Sequence, residues 1–249
     1  MNPVLAEIEN TSMMALPSGE TIKVHSHVGR GSGQVIRHAI EVSRPRLACE
    51  VGLAYGISSL YILDAMQQQG GGRLIGMDPA QHDGIWRGGG LYNIQRAGFS
   101  DRFEFHEDTS QRVLPRLAEA GTRIQFGFID GWHTFDHTMV DFFYIDQILD
   151  VGGVVVLDDV GYPGLRRLAH FIVTNRDYEI LGFDPVPVRP SWKSGLKRVL
   201  QGTLNPLVRD NFTPDDRALA LECEVNKAKL IALRKKGNDL RSFDHFVTF

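Results

Sequence analysis

Short apolar runs alternate with amphipathic stretches along most of this chain of 249 residues. Each apolar run is long enough for one buried strand, and the stretches between runs carry apolar residues at the three- and four-residue spacings typical of helices. Alternating strands and helices predict an α/β fold with a mostly parallel sheet. The predicted strands are residues 47–51, 73–78, 102–108, 124–130, 154–159 and 178–183, and the predicted helices are residues 34–42, 57–66, 91–97, a segment around 113–117, 135–149 and 165–175.

The pattern changes after the sixth strand. Three prolines between residues 185 and 190 indicate an extended linker. Two helical stretches follow near residues 193–201 and 215–236, and residues 243–249 alternate in the manner of a strand. The last strand of the sheet is therefore expected at the end of the chain.

These patterns suggest a division of the chain. Residues 1–33 are predicted to form an N-terminal segment or cap, and residues 34–249 the main domain. Within that domain, residues 184–243 are predicted to be a helical insertion before the last strand. We expect this insertion to form a lid, an oligomer contact, or both.

The first strand leads into a glycine-containing turn. Gly52 and Gly56 bracket this turn, and the helix at 57–66 follows it. A strand, a glycine turn and a helix begin a nucleotide-binding unit, because backbone N–H groups and the helix N-terminus can approach a ligand. The spacing differs from the Gly-x-Gly-x-x-Gly of dinucleotide-binding proteins, and glycines here also have a purely conformational explanation. Glu50, a buried carboxylate at the strand end, needs a partner such as a cationic or polyhydroxylated ligand.

Acidic residues end three further strands, at Asp78, at Asp130 and at the pair Asp158 and Asp159. The carboxyl ends of parallel strands meet at one edge of a sheet, where ligands bind. Asp78 has the position of a carboxylate that binds ribose hydroxyls, although it could also simply begin a turn. The other three acids would repel one another unless a cation lay between them, and their oxygen atoms suit Mg²⁺.

Three segments together resemble the class I S-adenosylmethionine-dependent methyltransferases. The resemblance is to the macrocin-type and cephalosporin-type O-methyltransferases, and more distantly to the catechol and caffeoyl-CoA enzymes, and it covers about residues 34–159. It implies a Rossmann-like, doubly wound sheet of seven strands, mostly parallel, with an antiparallel last strand. The segments are Glu50-Val-Gly-Leu-Ala-Tyr-Gly-Ile-Ser58, Ile129-Asp-Gly-Trp-His-Thr-Phe-Asp-His-Thr-Met-Val-Asp141 and Leu149-Asp-Val-Gly-Gly-Val-Val-Val-Leu-Asp-Asp159.

The resemblance assigns residues to the cofactor and to a metal ion. It implies that a divalent metal, expected to be Mg²⁺, is held by Asp130, Asp158 and Asp159. Asp78 would bind the ribose, and Asp108 would lie near the adenine. The residues implied to bind S-adenosylmethionine are Glu50, Gly52, Tyr55, Gly56, Ser58, Asp78, Asp108, Thr109 and Asp130.

His133 is the candidate catalytic base. It occupies the position where the catechol enzymes carry a lysine, and Asp159 stands where they carry an asparagine. An unperturbed imidazole, with a pKa of about 6.5, could accept a hydroxyl proton near neutral pH. The alternative is a structural histidine near a helix N-terminus, bonded to a neighbouring carboxylate.

Composition and charge limit the classes of binding partner and the cellular location expected for this chain. A net charge of −3 gives no indication of binding to nucleic acid or to a membrane surface. The two cysteines, Cys49 and Cys223, do not suggest a disulfide framework. No apolar run approaches the roughly 18 residues of a membrane span, and no signal pattern opens the chain, so a cytoplasmic protein is expected.

The sequence thus predicts a Mg²⁺-dependent O-methyltransferase that acts on a hydroxyl group of a small molecule, either a sugar or a secondary metabolite. We expect a homo-oligomer, a dimer or larger. Three alternatives remain open at this point: a metal-independent methyltransferase, a non-catalytic protein that binds S-adenosylmethionine, and an NAD-dependent oxidoreductase, which the glycine spacing disfavours.

Overall fold

The computed structural model of the chain describes residues 1–25, 27–82, 84–185 and 225–249. Its helices are α1 (Pro3–Thr11), α2 (Arg30–Ser43), α3 (Ile57–Gln68), α4 (Gly89–Arg96), α5 (Ser110–Glu119), α6 (Phe135–Ile148) and α7 (Pro163–Asn175). Its strands are β1 (Met13–Ala15), β2 (Thr21–Lys23), β3 (Leu47–Val51), β4 (Arg73–Met77), β5 (Phe103–His106), β6 (Ile124–Ile129), β7 (Leu149–Leu157), β8 (Tyr178–Pro185) and β9 (Ala228–Lys235).

Strands β3 to β9 form one sheet. In the described part of the chain its seven strands lie in the order β5-β4-β3-β6-β7-β9-β8. Strands β3 to β7 are parallel, and β9 runs antiparallel to both of its neighbours. The predicted Rossmann-like sheet of seven strands, mostly parallel with an antiparallel last strand, is therefore confirmed. Strand β3 is the third of these seven strands, so the turn that follows it opens between interior strands at one edge of the sheet.

Both faces of the sheet are buried. Along β7, Val154 and Val156 pack into the core layer formed with α2 and α3, whereas Val155 and Leu157 pack into the layer formed with α5, α6 and α7. All four side chains are fully buried. This explains why the strand is an unbroken apolar run, since strands covered on both faces have no polar side.

The N-terminal segment packs against α3 and the end of α4. The Tyr61 hydroxyl of α3 donates a hydrogen bond to Glu9, and the Asn2 side-chain amide donates one to the Ala97 carbonyl at 3.0 Å. Met14 of β1 is fully buried in the same core layer as α3. Helix α2 begins at Arg30, so the predicted boundary between residues 33 and 34 is wrong and falls inside this helix.

The predicted end of the sheet is also wrong. Residues 228–235 form β9 instead of continuing a helix, and residues 243–249 form no strand. The apolar run at 230–233 is fully buried between two strands, and periodicity alone does not separate such a run from a buried helix. Phe243 and Phe246 are exposed because the strand position beside β7 is already filled. The insertion predicted at 184–243 thus excludes at least 228–235, and its part at 186–224 lies outside the described residues.

Candidate active site

The glycine turn between β3 and α3 has a backbone that requires glycine at two positions. Gly52 has a φ of +88° and Gly56 a φ of +72°, values that L side chains rarely adopt. A Cβ atom at Gly52 would lie 2.1 Å from the backbone carbonyl oxygen of Asp130. The turn therefore passes directly against the end of β6, and no larger residue fits there.

Asp78 holds this turn in place. One carboxylate oxygen accepts hydrogen bonds from the backbone N–H groups of Leu53 at 3.1 Å and Ala54 at 2.9 Å. The other accepts a bond from the N–H of Ala80 at 2.8 Å. The side chain is buried, and much of its acceptor capacity is used by the protein itself. Its predicted contact with the cofactor ribose stays a prediction.

Glu50 lies beneath the turn, fully buried at the end of β3. Ser59 donates a hydrogen bond to one carboxyl oxygen, while the other has no partner among the described residues. Burial raises the pKa of Glu50 to about 8, and the neighbouring Ser58 and Ser59 hydroxyl groups oppose this rise. At neutral pH the group is therefore mostly a neutral acid in this environment.

Tyr55 makes side-chain contacts with His25 and Trp86, and its predicted contact with the cofactor stays a prediction. Its hydroxyl lies 2.9 Å from His25 Nε2, and its ring meets the Trp86 ring edge-on with centroids 5.0 Å apart. The side chain thus anchors the N-terminal segment to the glycine turn. Sequence patterns gave no signal for this contact, because it joins residues 30 positions apart.

Asp108 and Thr109 lie at the carboxyl end of β5. Asp108 forms ion pairs with Arg116 at 2.7 Å and with Arg112 at 3.6 Å, and it accepts a hydrogen bond from the Thr109 N–H at 2.8 Å. Thr109 precedes α5 without a side-chain capping bond. The two residues are at the predicted edge of the sheet, and their adenine contacts stay predictions.

Asp130, His133 and Asp159 form a cluster after β6 and β7. His133 Nε2 lies 3.2 Å from Asp130 Oδ1 and 3.6 Å from Asp159 Oδ2. The hydrogen bond with Asp130 raises the pKa of His133, which favours the protonated imidazole. Asp159 is held in a left-handed conformation, with a φ of +51°, so the turn after β7 points its carboxylate towards the histidine.

Asp158 lies behind this cluster. It is buried, and its Oδ1 accepts a hydrogen bond from the Asp159 N–H at 2.8 Å. Burial and the neighbouring Asp130 carboxylate raise the pKa of Asp158 to about 7. Of the acids predicted to hold a metal, the structure therefore brings Asp130 and Asp159 together with His133.

The donor set of the cluster fits a divalent metal ion. One atom from each of the three side chains lies within 4.8 Å of the others. Two carboxylates and one imidazole suit ions such as Mn²⁺ or Zn²⁺, whereas a purely oxygen set suits Mg²⁺ best. The sequence separation of Asp130 and His133 was visible in advance, but their closeness to Asp159 depends on the turn after β7.

A positive charge also reaches these acids from β9. Burial raises the pKa values of Asp130 and Asp158, and the positive charge of the Lys229 side chain opposes this rise. Its backbone carbonyl accepts a hydrogen bond from the Val160 N–H at 2.7 Å, which fixes Lys229 beside the turn after β7. The sequence pattern gave no signal for this lysine, because residue 229 falls in a predicted helix.

A separate cavity of about 490 Å³ lies beside α4, where His82, Arg87 and Tyr92 form part of its wall. None of the predicted site residues lines it.

Among the residues that the structure describes, no helix has the length and apolarity needed to cross a membrane.

The comparison with protein families decides the class of protein. A family model described as a methyltransferase domain matches residues 49–160, which run from β3 through the glycine turn, Asp78 and Asp130 to the turn after β7. The matched residues form a methyltransferase domain, and the chain is an S-adenosylmethionine-dependent methyltransferase. The predicted family and the predicted enzyme class are confirmed, and the oxidoreductase alternative is set aside. No curated protein matches the sequence of this methyltransferase.

Solved structures share the fold. The O-methyltransferase TomG from Streptomyces achromogenes, in complex with SAM, is 18% identical with a TM-score of 0.56, and the match covers 72% of this chain and 82% of that one. An O-methyltransferase from Bacillus cereus, in complex with SAH, is 18% identical with a TM-score of 0.54, covering 62% and 74%. The SAH-bound Podospora anserina methyltransferase PaMTH1 is 16% identical with a TM-score of 0.53, covering 95% and 89%.

Proposed function

We propose that this methyltransferase transfers the methyl group of S-adenosylmethionine to a hydroxyl group of a small molecule, a sugar or a secondary metabolite. The observation that carries the proposal is the cluster of Asp130, His133 and Asp159 beside the glycine turn. Titratable groups at this edge of the sheet suit an acceptor that must lose a proton. The names of the structural relatives TomG and the Bacillus cereus enzyme also include O-methyltransferase activity.

The proposed roles follow from position. The glycine turn, Glu50 and Asp78 would hold the cofactor, with Ser58 of α3 and with Asp108 and Thr109 at the adenine end. Asp130 and Asp159, backed by Asp158, would hold a divalent metal such as Mg²⁺. When bound, such an ion lowers the pKa of a coordinated hydroxyl group.

His133 would take the hydroxyl proton as the neutral imidazole, so its raised pKa means that activity should increase as the pH rises through that pKa. Its Nε2 atom points to the two acids and its side chain is about one-third exposed, so an acceptor could reach it. General bases contribute about 10²–10⁴-fold to rates. The competing role for His133 is that of a third metal ligand. One of its ring nitrogens and one carboxylate oxygen from each of Asp130 and Asp159 lie within 4.8 Å of one another, so all three could bind the same ion.

Binding of the cofactor tests the first part of the proposal. Titration calorimetry with S-adenosylmethionine should give saturable binding, and Asp78→Ala should abolish it because the glycine turn loses its anchor. Asp101→Ala, at an exposed acid in the turn before β5, is the matched control. Absence of binding by the unaltered protein would refute the proposed function.

Turnover tests the second part. Labelled S-adenosylmethionine, Mg²⁺ and a panel of hydroxylated acceptors should give methylated product, and Asp130→Ala should lose turnover while it still binds the cofactor. His133→Asn should lower kcat without weakening Mn²⁺ binding. If Mn²⁺ binding weakens instead by about tenfold or more, His133 is a metal ligand.

A metal-independent methyltransferase is the second candidate. Lys229 favours it, because a lysine charge already reaches Asp130 and Asp158 and offsets part of their repulsion. Activity that persists in excess EDTA would support this candidate, and Lys229→Met would then be more damaging than EDTA. Activity lost in EDTA and restored by Mg²⁺ would support the metal-dependent enzyme.

A homo-oligomer is proposed as the working form. Leu240, Phe243 and Phe246 are exposed apolar side chains near one another in the chain, and exposed apolar patches often mark protein contacts. Light scattering should give a mass of at least two chains, and the double change Phe243→Ser and Phe246→Ser should reduce it. A monomeric unaltered protein would refute this proposal.

A further inference from the structure

Tyr162 is fixed beside the acid cluster by the turn after β7. Its N–H donates a hydrogen bond to the Asp159 carbonyl at 2.9 Å, and its own carbonyl accepts one from the Arg166 N–H at 3.0 Å. The Arg166 side chain also donates to the Gly161 carbonyl at 2.7 Å. The residue therefore has a well-defined backbone position at the start of α7, next to a proposed metal ligand.

The Tyr162 ring stacks on His133. The ring centroids are 5.2 Å apart and the planes differ by only 7°. The contacts of His133 Nε2 with Asp130 and Asp159 lie at the ring edge, whereas the stack covers the ring face. The second side-chain torsion of histidine has a broad distribution, so the edge contacts alone leave the ring plane poorly fixed.

We propose that Tyr162 is a positioning residue, which holds the His133 ring in the orientation needed to accept the proton of the acceptor hydroxyl group. This inference rests on the proposed role of His133 as the base. The tyrosine ring does the positioning, because the Tyr162 hydroxyl makes no hydrogen bond with the described residues. Phenylalanine at position 162 should therefore preserve the positioning of His133, whereas leucine at this position should not.

The geometric part of the inference is tested without turnover. In protein with ¹³C-labelled histidine, the His133 ring resonances are assigned by their absence in His133→Asn. The stacked tyrosine should shift them upfield, and this shift should be lost in Tyr162→Leu and kept in Tyr162→Phe. Unchanged His133 resonances in Tyr162→Leu would overturn the inference.

Kinetics test the functional part, with pyrocatechol as the acceptor probe, S-adenosylmethionine and Mg²⁺. Tyr162→Leu should lower kcat by about tenfold to a hundredfold with KM nearly unchanged, because a misplaced base slows proton removal. Tyr162→Phe should restore kcat to within about twofold of the unaltered enzyme. Tyr92→Leu, which removes a tyrosine ring from α4, is the control for general damage.

Two outcomes overturn the inference in the kinetic test. An increased KM with unchanged kcat in Tyr162→Leu would make Tyr162 part of the acceptor wall, and equal losses in the leucine and phenylalanine variants would assign the role to the hydroxyl group. Failure of the proposed function looks different. It would appear as no cofactor binding by the unaltered enzyme, and it would leave the histidine resonance test intact.

Discussion

Replacing Glu50 by glutamine removes an ionisable group from one of the most buried positions in the sheet. The two side chains have nearly the same shape, so the core packing should be preserved. Ser59 can still donate its hydrogen bond to the amide oxygen of the variant. The main difference is that glutamine never acquires a charge, and this difference should matter only where Glu50 ionises.

The size of the effect follows from the pKa of Glu50, which burial raises from 4.5 to about 8. Between these two values the folded protein keeps a proton that the unfolded chain has lost. The contribution of Glu50 to the free energy of unfolding is therefore fully present below pH 4.5 and is lost as the pH rises to about 8. At about 1.4 kcal/mol per pH unit, the loss amounts to about 5 kcal/mol.

Urea unfolding at about pH 5.5 and about pH 8.5 measures this loss, since about 3 kcal/mol of it falls between these two values. The unaltered protein should lose about 3 kcal/mol more than Glu50→Gln over this interval. Asp141 and Asp158 are buried acids that also titrate, but they remain in both proteins and cancel in the difference. Glu119→Gln, at an exposed position of α5, is the control and should behave as the unaltered protein does.

Parallel losses would refute the reasoning. If the unaltered protein and Glu50→Gln lose equal stability between the two pH values, Glu50 is already ionised in the folded state at low pH. Burial would then be compensated by contacts stronger than those with Ser58 and Ser59. A loss of the same size in Glu119→Gln would show that the method reports general charge effects.

Two further predictions concern the backbone and the other side of the sheet. Gly52→Ala should lower Tm strongly and abolish cofactor binding, because the new Cβ would lie 2.1 Å from the Asp130 carbonyl oxygen. The control is Gly19→Ala, at a glycine with a similar φ of +84° but open space around it. This change should lower the free energy of thermal unfolding by only about 1 kcal/mol. Lys235→Met should lower the free energy of urea unfolding by about 3 kcal/mol and leave cofactor affinity unchanged, because the buried ammonium group pairs with Asp146 at 3.2 Å; a loss below about 1 kcal/mol would contradict this.

The central sheet could be predicted from the sequence because its strands are buried on both faces. Strand β3 has the predicted bounds, and β4 and β6 each end one residue before the predicted acid. Apolar runs of this length, separated by amphipathic helices, leave few other arrangements. The acids at the strand ends could be placed at one edge for the same reason.

The errors have a common physical origin in contacts between distant parts of the chain. Strand β9 is defined by its pairing with β7 and β8, and its own sequence fits a helix equally well. The terminal segment at 243–249 alternates like a strand, but β9 already occupies the position between β7 and β8. The local pattern therefore indicated which segments could form a strand. Which of them became the last strand of the sheet depended on contacts with β7 and β8.

The same limit applies inside the site. The spacing of Asp130 and His133 is local, so the sequence contained a signal for their contact. The stack of Tyr162 on His133 requires the turn after β7 to fold back over the end of β6, and no periodicity records such a turn. The role of Asp78 in binding the glycine turn is likewise a feature of the folded chain.

The glycine turn is shaped by groups from two other parts of the fold, the segment after β4 and the end of β6. This arrangement connects cofactor binding to the chemistry of the acceptor. Asp78 binds its N–H groups, the side-chain amide of Gln81 donates to the Ala54 carbonyl at 2.7 Å, and the Asp130 carbonyl lies against Gly52. Asp130 also supplies a carboxylate to the acid cluster. A movement that opened the cofactor turn would displace that carboxylate, so the cofactor and the acceptor chemistry share one rigid support.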